Sequence, residues 1–129
     1  FDANEHFGRS ADELFVAETS RHRFVCYNRD GKQVRTFGGR MGQRDGQFGG
    51  CCNPMNLRAN AAGDIFTAES EGIIKRYSAK GEFLGTVGYA PLTGGCKNVG
   101  VGASPDGSRV YFCDQPGSAI IILAKKAAK

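Results

Sequence analysis

Tryptophan is absent from this chain, and methionine and histidine occur only twice each. With only His6 and His22 available, no Ser/His/Asp or Cys/His arrangement stands out as a catalytic constellation. No apolar run approaches the ~18 residues of a membrane-spanning helix; the longest, Ala119 to Ala124, reads as a strand. There is no N-x-S/T acceptor for glycosylation, and no C-x-x-C-H for covalent haem. Helical periodicity is missing until the tail. Phe1 shows no signal peptide and no initiator methionine, and it falls inside a strand pattern, so the chain reads as a processed or truncated product.

Glycine is abundant, with nineteen residues, about twice the usual share. Much of it punctuates a repeat of about fifty residues, a period that signals a propeller or solenoid. The first copy is ELFVAETSRHRFVCYNRDGKQVRTFGG (Glu13 to Gly39) and the second DIFTAESEGIIKRYSAKGEFLGTVG (Asp64 to Gly88). The third, RVYFCDQPGSAIIIL, runs from Arg109 to Leu123. In register, Glu18, Glu69 and Asp114 share one position, Tyr27 and Tyr77 a second, Gly31 and Gly81 a third.

Within each copy, short β-branched and aromatic runs are bounded by Gly, Asp, Asn or Ser, which predicts strands separated by tight turns. Gly31, Gly81 and Gly107 stand where hairpins need a positive φ. A further run precedes each copy, at Phe1 to Asn4, Met55 to Asn60 and Val99 to Ser104, and supplies a first, innermost strand. The result is an all-β fold, a β-propeller segment of roughly three antiparallel blades of four strands. The blades are expected at 1–48, 49–93 and 94–129, the third lacking its outer strand and ending in a basic tail.

An acidic residue closing the second strand, an arginine opening the third, then aliphatics, an aromatic and a glycine turn resemble the NHL-repeat β-propellers. Glu18, Arg23, Phe24, Tyr27 and Gly31 match in the first copy, and Glu69, Ile74, Tyr77 and Gly81 in the second, where the arginine is displaced to Lys75 and Arg76. The third copy keeps Asp114 and Ile120 to Leu123. The string GCCNP before a strand is similar to bacterial NHL-like proteins. The resemblance implies a fold more than a function, since the family spans scaffolds, ligand binders, RNA binders and lyases.

Closed propellers use about four to eight blades, so this chain does not close a ring alone. The preferred reading is a non-catalytic binding and assembly module. Its protein partner is a second copy of itself or the remaining blades of a longer propeller. A piece of a metal-dependent propeller enzyme of the lyase or lactonase type is the alternative. Nucleic-acid or acidic-polymer binding through a basic rim ranks third, because the formal net charge is only +4.

Five cysteines are present. Cys26 and Cys113 read as small buried hydrophobes on strands. Cys51, Cys52 and Cys96 lie just before innermost strands, where blades converge. Three readings stay open for them: reduced thiols, an oxidised pair stapling neighbouring blades, or soft-metal binding. The second favours a periplasmic or extracellular location. The spacing lacks a zinc signature, so no cofactor is assigned and a metal at this trio remains the alternative.

Recurrence of Glu18, Glu69 and Asp114 argues for a structural role, a carboxylate bonded to strand-end amides or to the arginine of the next strand, Arg23 in the first copy. The glycine-rich link from Gly38 to Gly50 leads into a strand and lacks the helix start of a phosphate cradle. On that loop face, Arg40, Arg44 and Asn53 are the candidate exposed binding groups.

Overall fold

A computed structural model describes residues 12–39, 46–50, 52–91 and 99–127. Its strands run β1 (Glu13–Glu18), β2 (Arg23–Asn28), β3 (Gln33–Gly38), β4 (Asn56–Ala59), β5 (Ile65–Ala68), β6 (Ile73–Tyr77), β7 (Phe83–Tyr89), β8 (Gly100–Ala103), β9 (Arg109–Asp114) and β10 (Ala119–Ala124). They form three antiparallel sheets, β1-β2-β3, β4-β5-β6-β7 and β8-β9-β10, a propeller segment of three successive blades. Among the described residues the only helix is the short 3₁₀ turn Thr19–Arg21.

The second blade has all four expected strands. Among the described residues the third comprises β8, β9 and β10, and no described strand pairs with the outer edge of β10. The run Phe1 to Asn4, expected as the inner strand of the first blade, lies outside the described residues.

Turn chemistry follows the repeat. Gly31, Gly81 and Gly107 adopt φ of 75°, 92° and 70°. A left-handed residue also ends the link between the second and third strands of each blade: His22 at φ 54°, Gly72 at 90° and Ser118 at 50°. That conformation costs a side-chain-bearing residue little only where the surroundings hold it. The turn of Thr19–Arg21 does so through the His22 N–H, which donates to the Thr19 carbonyl.

Strand pairing sets which side chains share a face. Ala17 stands opposite Phe24 and Phe15 opposite Cys26; Ala68 stands opposite Ile74 and Phe66 opposite Arg76; Cys113 stands opposite Ile120 and Tyr111 opposite Ile122. The pairs Leu14–Tyr27, Ile65–Tyr77 and Val110–Leu123 occupy the opposite faces of the same blades, because side chains alternate along a strand.

The core sits between blades, not within them. One cluster joins Phe24, Cys26 and Phe37 of the first blade to Ile65 and Tyr77 of the second. The other joins Phe66, Ala68 and Ile74 of the second to Val110 and Phe112 of the third. A single sheet has two apolar faces and no helix to cover either, so each blade is stabilised by its neighbours.

Candidate interaction surfaces

The recurring acidic position meets three different partners. Glu18 accepts from the Arg23 guanidinium across the strand link, and this arginine holds the Glu18 carboxyl below its ordinary range. In the second blade, Glu69 is 2% exposed and faces the Lys75 ammonium at 2.5 Å. Asp114 is buried and accepts from the Gly117 N–H at 3.3 Å. An arginine, a lysine and a turn amide thus answer one repeated carboxylate.

The Lys75 side chain does more than face Glu69. Its Nζ also donates to the Gln47 carbonyl at 2.5 Å and lies 5.1 Å from the centre of the Phe48 ring. Burial pushes the Glu69 carboxyl up, with the Lys75 pairing opposing it. Phe48 is wholly buried and packs near Phe24 and Tyr77, with ring centres 6.3 and 6.0 Å away. The link between blades therefore folds back into their junction. Only the isolated aromatic in a glycine-rich stretch hinted at this.

Asn53, expected as an exposed binding group, is instead fully buried. Its Nδ2 donates to the Gly49 carbonyl at 2.9 Å and to Glu71 Oε2 at 2.6 Å, and its Oδ1 accepts from the Ser70 N–H at 2.7 Å. A side-chain amide can satisfy backbone groups that a short connection leaves without ladder partners, so Asn53 ties the entry of the second blade to its β5–β6 turn. Arg40 and Arg44, the other two candidates, lie outside the described residues.

Of the cysteine trio, Cys51 and Cys96 also lie outside them, while Cys52 is half-buried. Cys26 is a buried free thiol whose pKa burial, aided by Glu13, raises to about 11. Cys113 is a half-buried free thiol on the outward face of the third blade. Among the described residues, no group of three or more His, Cys, Asp or Glu side chains is placed to hold a metal ion. His22 ends the Thr19–Arg21 turn and is 4% exposed, with Nδ1 unpaired among the described atoms.

The largest departure from a closed surface is apolar. Leu14 is 50% exposed and Val16 37% on the outward face of the first blade, while Ile120 and Ile122 are 67% and 56% exposed on that of the third. Between the second and third blades an open cleft of about 210 Å³ is lined by Phe66, Leu84, Val87, Val110 and Leu123, with Arg76 and Lys125 at its margin. At the other junction the outer strand β7 sends in Phe83, whose ring lies 5.5 Å from that of Tyr77. The cleft marks where the third blade has no described outer strand to do the same.

No protein-family model matches the chain, and no curated protein matches it either.

Proposed function

We propose that this chain is a non-catalytic binding and assembly module built from NHL-like propeller blades, its open faces covered by self-association or by further blades of a longer protein. One contrast carries the reading. The cross-strand pair Ile65–Tyr77 is 0% and 1% exposed where a neighbouring blade covers it. The equivalent pair in the first blade, Leu14–Tyr27, leaves Leu14 half exposed.

Apolar side chains on a β-sheet face are retained in water at a cost of about 25 cal/mol for each Å² left uncovered. Side chains of this type at interface-forming positions mark a contact surface. The edge of β10 with which no described strand pairs adds a row of backbone groups able to accept another strand. Binding surfaces of this kind need geometry and apolar area, not a reactive side chain.

Sedimentation velocity across micromolar concentrations tests the proposal, together with thermal unfolding at several concentrations. The expected result is association that strengthens with concentration and a Tm that rises with it. A monomer that melts cooperatively at every concentration would remove the self-association arm, and failure of a longer propeller carrying these blades to protect them would remove the other.

A further inference from the structure

The two junctions inside the chain are two instances of one heterologous contact, and each unused outer face is the missing half of a third. One side of the contact is a presenting face, built from the Ala17–Phe24 and Phe15–Cys26 pairs in the first blade and from Ala68–Ile74 and Phe66–Arg76 in the second. The other is a receiving face, which includes Ile65–Tyr77 in the second blade and Val110–Leu123 in the third. The cores confirm the assignment, since presenting residues of one blade cluster with receiving residues of the next.

The leftover halves keep the same chemistry. The presenting face of the third blade carries an aromatic at Tyr111, a small residue at Cys113 and a large apolar residue at Ile120, where the second blade has Phe66, Ala68 and Ile74. Exposure shows which half lacks a partner: Phe24, Ile74 and Ile120 are 0%, 0% and 67% exposed. On the receiving side, Leu14, Ile65 and Val110 are 50%, 0% and 1% exposed; on that face of the first blade Val16 is also 37% exposed, while Val25 of the central strand is 0%. The first blade also keeps a tyrosine, Tyr27, at the position of Tyr77.

From this repetition we infer that a second copy of the chain docks head-to-tail, its first blade receiving the presenting face of the third blade across Ile120, Cys113 and Tyr111. The inference rests on the assembly reading above and adds its geometry. The occupant is a second copy because both halves of the contact are on this chain, and their chemistry continues an interface already formed twice within it. A heterologous contact closes a ring when its rotation permits. Two copies, each with three blades, fall within the range of about four to eight at which propellers close.

Variants of the two exposed positions test this. Ile120→Glu places a charge on the presenting face, and Leu14→Glu on the receiving face; both side chains point outward, so the fold of each variant, checked by circular dichroism, is expected to persist. Every head-to-tail junction needs one face of each kind. Each variant alone is therefore expected to be monomeric by sedimentation velocity, with self-association weakened at least about tenfold. An equimolar mixture is expected to form a heterodimer through the one junction that retains two intact faces.

A variant that still self-associates as the wild type does, or a mixture that stays monomeric while the wild type associates, would overturn the head-to-tail geometry and leave the assembly reading standing. A wild-type chain that stays folded and monomeric would overturn the inference and self-association together. Like-with-like pairing would show itself as one variant dimerising normally while the other does not, and would also overturn the inference.

Discussion

Lys75 and Glu69 form a buried ion pair at the junction of the first two blades, with Nζ 2.5 Å from Oε1. The pairing is of charges more than of aligned hydrogen bonds: the ammonium directs a hydrogen bond to the Gln47 carbonyl, and Oε1 has no directed donor among the described atoms. Such a pair offsets its own desolvation without adding much stability, yet each member depends on the other.

Removing one member alone is therefore expected to be costly. Glu69→Gln leaves a buried lysine uncompensated and should lose about 3–5 kcal/mol. Lys75→Met should have a similar effect, by stranding the carboxylate. The double replacement should cost markedly less than the sum of the two, with a coupling of about 2 kcal/mol or more. Urea unfolding of the four proteins measures the cycle, and simple additivity would contradict the pairing.

The carboxyls of Asp106 and Glu69 are shifted in opposite directions. Asp106 accepts from Ser104 Oγ at 2.7 Å and from the N–H and Oγ of Ser108 at 3.0 and 2.9 Å, which hold its pKa at about 2 against an ordinary 3.8. Its folded value is the lower one, so its contribution is present above pH 3.8 and is lost as the pH falls toward about 2. Burial pushes the Glu69 carboxyl up, against the pull of the Lys75 ammonium. A carboxyl NMR titration with an Asp106 midpoint near 3.8 would contradict the expectation for that residue.

Two glycines at one repeat position should respond differently to alanine. A Cβ at Gly81 would lie 1.8 Å from the Phe37 ring, and φ there is +92°. A Cβ at Gly31 meets nothing within 4 Å, at φ +75°. Gly31→Ala should cost about 1–2 kcal/mol from the left-handed backbone alone. Gly81→Ala adds a clash with a packed aromatic and should cost about 2 kcal/mol more. Equal destabilisation by denaturant titration would show that Phe37 yields freely.

Phe48 should matter far more than a loop residue ordinarily does. It is wholly buried between blades and carries Lys75 over its ring. Phe48→Ala is expected to cost about 3–5 kcal/mol. A loss under about 1 kcal/mol in urea unfolding would place the ring outside the cooperative core.

Thiol labelling should separate two cysteines. In a variant retaining only Cys26, the buried thiol with a pKa of about 11 should react only on unfolding. In a variant retaining only Cys113, which is half-buried, labelling should proceed on the folded monomer and slow with rising protein concentration as copies cover it. Equal rates for the two in the native state would contradict the first half.

The sequence by itself determined the strands β1 to β10 and their grouping into three antiparallel sheets. Each of those is local: alternation marks a strand, Gly31 and Gly81 mark tight turns, and the recurring Glu18, Glu69 and Asp114 mark the end of each second strand. The recurrence of those carboxylates was legible too, and the structure gives them Arg23, Lys75 and the Gly117 N–H as partners. Asn53 was not. Its polarity and its place in a connection suggested exposure, whereas the fold buries it where Gly49, Glu71 and Ser70 leave polar groups to satisfy. Phe48 was hidden for the same reason, since Phe24, Tyr77 and Lys75, which its ring meets, are far away along the chain. Only the tertiary structure decided which face of each blade presents and which receives. Alternation divides a strand into two faces without naming the neighbour of either, and that neighbour is fixed by the packing of one sheet on the next.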